Sequence, residues 1–166
     1  MKTKALVVID MQNDFVTGNL GTAEAQAIIP KIYSYIINFD GDVYFTQDTH
    51  GGNYKETLEG KTIPPHCMDG TKGWQIVPEL SVFAEETIKK DTFGCDIHSK
   101  LSWQGKYYLE IIFVGVCTDI CVLNCALRAV EHFNKVIVLQ DLCAGTTPEN
   151  HQKALDIMKV NCIEVI

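Results

Sequence analysis

The stretch Ile111-Ile112-Phe113-Val114-Gly115-Val116, followed at once by Cys117-Thr118-Asp119-Ile120-Cys121-Val122, decides the fold. Its first six residues form an unbroken apolar run, which is typical of a β-strand that is buried on both faces of a sheet. Residues 118–132 then have helical character, and Asp119 lies near the start, where a negative charge is favourable. A buried strand that leads into a helix is the repeating unit of parallel α/β sheets.

The same alternation extends to both sides of this stretch. Residues 6–9 and 43–46 are further apolar runs that predict strands, and residues 23–39 predict a helix between them. One side of that helix is apolar (Ala27, Ile28, Ile32, Tyr35 and Ile36). After residue 132 the pattern predicts a strand over 136–139, a helix over 148–159 that Thr147 caps, and a last strand over 162–166.

These elements predict a single α/β domain over residues 1–166. We expect a Rossmann-like parallel sheet of five to six strands with helices on both faces. In such sheets ligands bind at the carboxyl ends of the strands. The long Gly- and Pro-containing segment between residues 50 and 74 predicts a loop that is either functional or disordered.

Charge and composition exclude some partners. The chain has 166 residues and a formal net charge of -7, so it would be repelled by nucleic acid and by an anionic membrane surface. The first apolar run is too short for a signal sequence, and no run approaches the roughly 20 residues that cross a bilayer. We therefore expect a cytoplasmic protein that acts on a small molecule, and we further expect a homo-oligomer.

Seven cysteines are scattered along the chain. An odd number in a chain of this size does not suit a secreted disulfide framework, and no paired CxxC motif indicates a structural zinc site. Most of these thiols are expected to be small apolar core residues in a reducing compartment. The remaining question is which of them is reactive.

Three residues at or just after predicted strand ends could carry chemistry. Asp10 ends the first strand, where a carboxylate among apolar neighbours can act as a general base; the alternative is a loop-capping aspartate. Cys121 is predicted in the first turn of a helix, whose free N–H groups would stabilise a thiolate and could hold an oxyanion. The alternative is that Cys117, Cys121 and Cys125 form an apolar stripe, which we prefer for Cys125. Lys90 could stabilise both Asp10 and the thiolate, with the neighbouring Lys89 as the competing choice.

A metal site is suggested by the segment Thr46-Gln47-Asp48-Thr49-His50 and by His66 in Pro64-Pro65-His66-Cys67. Two imidazoles and one carboxylate are a common ligand set for a catalytic metal site that keeps an open position. An Asp-x-His triplet alone would be weak support, since such residues recur in loops. Together with His66, whose backbone is restricted by proline, the support is stronger.

Four segments in this order resemble the isochorismatase-like cysteine hydrolases. They are Val8-Ile9-Asp10-Met11-Gln12-Asn13-Asp14-Phe15, Thr46-Gln47-Asp48-Thr49-His50, Lys90-Asp91-Thr92-Phe93, and Gly115-Val116-Cys117-Thr118-Asp119-Ile120-Cys121-Val122. The Pro65-His66-Cys67 element narrows the resemblance to the nicotinamidase/pyrazinamidase branch. The ordered set covers nearly the whole chain.

The resemblance implies a role for each matching residue. It implies a catalytic triad of Asp10, Lys90 and Cys121, and an oxyanion hole formed by the N–H groups of Cys117 and Cys121 after a cis peptide bond. Phe15 would stack on the substrate ring. One divalent transition metal ion, zinc first with iron or manganese as alternatives, would be held by Asp48, His50 and His66. Many nicotinamidases carry another histidine shortly after the Asp-x-His element, and this chain has none there. Some members use a glutamate instead, and Glu59 fits that variant of the metal site better than Glu56.

The activity implied is that of a nicotinamidase, which would convert nicotinamide to nicotinic acid and ammonia through a thioester in NAD salvage. One alternative is a related amidase that acts on another small amide or carbamoyl compound. A true isochorismatase needs no cysteine nucleophile, so Cys121 argues against that activity. An inactive binding or interface module would have no reason to keep the triad, and a thiol redox or metal-storage protein is favoured only by the cysteine count.

Overall fold

A six-stranded parallel sheet forms the centre of the computed structural model, which describes residues 3–166. Met1 and Lys2, which we assigned to the single domain, lie outside the described residues. The strands are β1 (Lys4–Ile9), β2 (Asp42–Asp48), β3 (Thr87–Lys90), β4 (Glu110–Val116), β5 (Lys135–Ala144) and β6 (Glu164–Val165). Their order is β3-β2-β1-β4-β5-β6, and every neighbouring pair is parallel. The predicted fold class, with five to six parallel strands, is confirmed.

Helices cover both faces of this sheet, as expected. They are α1 (Asn13–Val16), α2 (Ala23–Ile36), α3 (Pro78–Ser81), α4 (Ile97–Trp103), α5 (Leu123–Ala129) and α6 (Pro148–Val160). Leu6 and Val8 of β1 face the side covered by α2, whereas Val7 and Ile9 face the side covered by α5 and α6. Because β1 is buried on both faces from Ala5 to Ile9, this part of its sequence is apolar at every position rather than at alternate positions.

Several predicted elements have different bounds in the structure. The helix predicted over 23–39 ends at Ile36, and Ala25 rather than Ala27 belongs to its buried side. The helix predicted over 118–132 is divided into a wide π-helical turn, Thr118–Val122, and the α-helix Leu123–Ala129. The short helices α1, α3 and α4 were not predicted, because four to seven residues give too few turns for a clear apolar period.

The two central strands bring their carboxyl ends together at one edge of the sheet. In the register of the sheet, Ile9 of β1 lies opposite Gly115 of β4, and Asp48 of β2 lies opposite Lys90 of β3. Gly115 has a φ of 113°, and a Cβ atom there would lie 2.2 Å from the carbonyl oxygen of Ile9. The close approach of β4 to β1 therefore requires glycine at this position. Residues that follow these strands share one small volume, as the general rule for α/β sheets predicts.

Within residues 3–166, no helix is both long enough and apolar enough to cross a bilayer.

Candidate active site

Asp10, Lys90 and Cys121 meet at the carboxyl ends of β1, β3 and β4. The Lys90 Nζ lies 2.7 Å from Asp10 Oδ2 and 3.6 Å from Cys121 Sγ. It also donates to the carbonyl oxygen of Thr92 at 3.1 Å. The side chain of Lys90 is 3% exposed and that of Asp10 is 0% exposed, so this ion pair is buried. The neighbouring Lys89, by contrast, points to the surface and pairs with Asp69.

The two oxygens of Asp10 have different environments. Oδ1 accepts a hydrogen bond of 2.6 Å from the Thr46 hydroxyl. Oδ2 faces the Lys90 ammonium group but accepts no aligned hydrogen bond from any described residue. Burial raises the pKa of Asp10 above its ordinary value, and the positive charge of Lys90 only partly offsets this effect. A buried carboxylate whose pKa is raised, and one of whose oxygens accepts no aligned hydrogen bond, is suited to accept a proton.

Cys121 has a more buried thiol than the helix-start argument implied. Desolvation, and after it the charge of Asp10, raise the pKa of Cys121 well above its ordinary value, although Lys90 opposes the shift. The sequence argument predicted a stabilised thiolate in the first turn of a helix. Burial opposes that stabilisation, whereas the nearby Lys90 ammonium group favours it. A thiol whose pKa is raised needs a base before it can attack.

A second buried cluster lies beside the triad. His50 Nε2 is 2.8 Å from Asp48 Oδ2, and His66 Nε2 is 3.4 Å from the same oxygen. Glu59 Oε1 lies 3.4 Å from His66 Nε2 and 3.7 Å from His50 Nε2. The other oxygen of Asp48 is 3.1 Å from Lys90 Nζ, which connects this cluster to the triad. Glu56 is exposed and is not part of the cluster.

This cluster fits a divalent metal ion. Its four candidate ligand atoms, from Asp48, His50, Glu59 and His66, all lie within 4.8 Å of one another. Burial lowers the pKa of His66, but hydrogen bonds to Asp48 and Glu59 outweigh it and raise that pKa to about 10. Two carboxylates and two imidazoles that converge in a buried pocket are the donor set that zinc, iron and manganese accept.

A cavity of about 350 Å³ opens above both clusters. Cys121 and Cys117 line one part of it, and Asp48, Glu59 and His66 line another. The remaining walls are mostly apolar (Phe15, Leu20, Ile63, Pro64, Phe93, Val116, Ile120 and Ala144 among them). The Phe15 ring packs edge-on against the His66 imidazole, with ring centroids 5.2 Å apart. The cavity is of the size and character that suit a small, flat, largely apolar ligand.

The turn that carries Cys121 is held from the α6 side. The peptide bond between Val116 and Cys117 is cis, as the resemblance implied. Asp119 accepts hydrogen bonds from the backbone N–H and the hydroxyl of Thr146. The buried Thr118 hydroxyl is 2.8 Å from His151 Nδ1. These contacts fix the position of the turn relative to the cavity.

Sequence reasoning missed several residues that support the site. Gln12 both donates to the carbonyl oxygen of Asp48 and accepts from its N–H, each at 2.8 Å. Tyr54 is 2% exposed, and its hydroxyl lies 3.3 Å from His66 Nδ1. Phe93 and Ile63 form cavity walls from two different loops. Gln12 could have been suspected because it follows Asp10 at a strand end, whereas the roles of the other three depend on loop conformation.

Comparison with known proteins gives consistent matches over the whole described chain. The model of the Isochorismatase domain matches residues 4–166. The nicotinamidase/pyrazinamidase of Mycobacterium tuberculosis is 30% identical, and the alignment covers 98% of each chain. The crystal structure of the Pyrococcus horikoshii pyrazinamidase in complex with zinc superposes with a TM-score of 0.86 at 31% identity, covering 99% of this chain and 98% of that one. A pyrazinamidase/nicotinamidase from Streptococcus mutans gives a TM-score of 0.81 at 28% identity, covering 98% and 99%.

Proposed function

The chain belongs to the isochorismatase family, and from this premise we propose that it is a cysteine amidohydrolase that converts nicotinamide to nicotinic acid and ammonia. The observation that carries the proposal is the contact of Lys90 with both Asp10 and Cys121, the last of which lines a mostly apolar cavity. Relatives named as nicotinamidases or pyrazinamidases support an amide as the substrate. NAD salvage would be the metabolic context.

The first step is proton transfer from Cys121 to Asp10. The raised pKa of the thiol means that it must be deprotonated within the site, and the raised pKa of Asp10 makes this carboxylate a stronger base than an exposed one. Lys90 keeps its charge, because Asp10, Cys121 and Asp48 outweigh the lowering of its pKa by burial. Its ammonium group then lies beside the newly formed thiolate.

The thiolate next attacks the carboxamide carbon, and the N–H groups of Cys117 and Cys121 are proposed to hold the oxyanion. Asp10 returns the proton to the departing nitrogen, so that ammonia leaves and a thioester to Cys121 remains. Asp10 then takes a proton from water, which attacks the thioester. Nicotinic acid is released, and the proton returns to the Cys121 sulfur.

Asp48, His50, Glu59 and His66 are proposed to hold the divalent metal ion, with zinc preferred because the P. horikoshii relative was crystallised with it. When bound, the ion would supply a Lewis-acid contact to a ring nitrogen of the substrate and so help to orient the ring. Phe15, which lies on the same wall as His66, is proposed to cover one ring face. In this proposal, one set of residues binds the substrate ring and another set reacts with its amide group.

The substrate assignment is tested by comparing kcat/KM for nicotinamide, pyrazinamide and benzamide on one zinc-loaded preparation. Benzamide has the same shape and carboxamide but no ring nitrogen. It should react more slowly than nicotinamide by a factor of about 10²–10⁴, the range that lost positioning can cost. Pyrazinamide should be accepted. Equal kcat/KM values for benzamide and nicotinamide would contradict the proposed contact between the metal ion and the ring nitrogen.

The nucleophile is tested with two cysteine variants and a labelling reaction. Cys121→Ala should abolish turnover, whereas Cys125→Ala should keep most of it, because Cys125 is buried away from the cavity and accepts from the Cys95 N–H. A substoichiometric alkylating agent should label Cys121 when the peptides are examined by mass spectrometry. A label mainly on another cysteine, with activity intact, would contradict the assignment.

A second candidate function is an amidase of this family that acts on another small amide or a carbamoyl compound. The mostly apolar cavity wall favours nicotinamide over such polar compounds. Ammonia release from a carbamoyl compound without release from nicotinamide would favour the second candidate.

We also propose that the enzyme is cytoplasmic and forms a homo-oligomer. The seven cysteines are all free thiols in the structure, which supports a reducing compartment.

A further inference from the structure

A second group of metal-ligating side chains lies outside the active site. It consists of Asp96, His98 and His132, and each offers one ligand atom within 4.8 Å of the other two. Asp96 and His98 stand at the start of α4, whereas His132 follows α5 in the turn before β5. None of the three lines the active-site cavity. The group therefore connects two helices on one face of the sheet.

The two imidazoles of this group are packed face to face. Their ring centroids are 4.5 Å apart, and the ring planes differ by 10°. Phe133 packs edge-on against His98 at 5.8 Å and holds that ring in place. One ring nitrogen of each lies within 4.8 Å of the other and of a carboxylate oxygen of Asp96.

The ring nitrogens of His98 and His132 have no hydrogen-bond partner among residues 3–166. The other three histidines each have one: His50 with Asp48, His66 with Pro64, and His151 with Thr118. Asp96 caps α4 by accepting from the Ser99 N–H and hydroxyl, but its carboxylate oxygens have lone pairs to spare. Three ligand groups thus remain available at one point of the surface.

We propose that Asp96, His98 and His132 form a second metal site, distinct from that of the active site, which binds a divalent transition ion such as zinc. Two neutral imidazoles and one carboxylate are a ligand set that zinc accepts, with water completing the tetrahedron. Metal–ligand bonds of about 2.0–2.2 Å require the three atoms to close in, and the exposed His132 side chain has room to rotate toward the other two.

The bound ion ties the start of α4 to the end of α5. The segment just before α4 carries Phe93, which lines the cavity, and Thr92, whose carbonyl oxygen accepts from Lys90. The Cys95 N–H of this segment already donates to the Cys125 sulfur of α5 at 3.3 Å. The ion would add a second link between the same two parts of the fold.

The test is zinc binding to the metal-free full-length protein by isothermal titration calorimetry. The wild-type protein should bind two equivalents. Asp96→Asn is the key variant, because asparagine caps a helix as well as aspartate does but lacks the charge. It should lower zinc affinity at one site by at least about 10-fold and leave the other site unchanged. His98→Gln should do the same.

Glu131→Gln is the matched control, since Glu131 is exposed and adjacent to His132 but is not a member of the group. It should bind two equivalents, as the wild type does. With His50→Ala, which changes only the active-site group, the site at Asp96 should still bind one. Should the active-site group fail to bind zinc, the wild type would bind one equivalent, and Asp96→Asn would weaken that single site, so the two assignments are tested separately.

The position of the ion is checked by carbethoxylation of histidines followed by peptide mass spectrometry. Zinc should protect His98 and His132 from modification in the His50→Ala variant. Unchanged zinc binding in Asp96→Asn and His98→Gln, or modification of both histidines at the same rate with and without zinc, would overturn the proposal.

Discussion

Replacing Lys90 with methionine tests whether this residue is the positive charge that permits two carboxylates to be buried at the floor of the site. Lys90 Nζ lies 2.7 Å from Asp10 Oδ2 and 3.1 Å from Asp48 Oδ1. Methionine preserves most of the volume of the side chain but leaves both carboxylates without their shared cation. Removal of one partner from a buried ion pair costs about 3–5 kcal/mol of unfolding free energy. We expect a loss in that range at pH 7, measured by urea denaturation followed by circular dichroism.

Lys89→Met is the matched control for this variant. Lys89 is the adjacent residue, its side chain is 54% exposed, and its ion pair with Asp69 spans 3.6 Å. An exposed pair of this kind contributes at most about 1 kcal/mol. Equal losses of stability for Lys89→Met and Lys90→Met, or no loss for Lys90→Met, would refute the reasoning.

The loss in Lys90→Met should also depend on pH. Burial already raises the pKa of Asp10 above 3.8, and removal of Lys90 takes away the main influence that lowers it. A carboxyl group whose pKa is higher in the folded state than in the unfolded state binds protons on folding, so its contribution to stability grows as pH falls through the folded-state pKa. The difference between Lys90→Met and the wild type should therefore narrow when the pH is lowered from 7 toward 5.

Three other sets of substitutions test separate parts of the structure. Glu59→Gln should weaken zinc binding at the active-site group by about 10-fold or more in a calorimetric titration, whereas Glu56→Gln, outside the group, should leave it unchanged. Gly105 has a φ of 71° and open space where a Cβ would lie, so Gly105→Ala should cost about 1–2 kcal/mol of unfolding free energy from backbone strain alone. Gly115→Ala should cost about 1–3 kcal/mol more, because its Cβ would also clash with the neighbouring strand. Equal costs for the two variants would contradict the close approach of β4 to β1. His151→Leu should cost about 1–3 kcal/mol by urea denaturation, since it leaves a buried threonine hydroxyl without its partner; an unchanged midpoint would refute that bond.

The sheet and the placement of the triad could be predicted because they depend on regular structure. Strands that are buried on both faces have continuous apolar runs, and parallel strands end at the same edge. Asp10 follows such a run and Cys121 lies in the turn after another, whereas Lys90 ends the strand Thr87–Lys90, which is not a continuous apolar run, and was supported mainly by the family resemblance. The register shift between Phe113 and Gly115 and the π-helical turn at Thr118 had no comparable signal, because both arise from packing against neighbouring strands and helices.

Loop residues could be predicted only where the resemblance identified them. Glu59 lies 3.4 Å from His66 because two short 3₁₀ turns, Tyr54–Glu56 and Glu59–Lys61, fold the loop back over the site. No periodic pattern in the sequence indicates that path. The group of Asp96, His98 and His132 escaped sequence reasoning for a related reason, since His132 is 34 residues from His98 and only the packing of α4 beside α5 brings the rings together.

The burial of the triad explains why both the acid and the base have raised pKa values and can still exchange a proton. In the mechanism proposed above, Asp10 begins ionised, Lys90 charged and Cys121 neutral, and transfer of the proton from Cys121 to Asp10 leaves the summed charge of the three groups unchanged. Loss of the same proton to bulk water would instead add a negative charge to a buried site that already holds the Asp48 carboxylate, which is costly. Desolvation would therefore oppose ionisation of the thiol by solvent far more than it opposes transfer to Asp10, so that attack by Cys121 would be coupled to the presence of its own base.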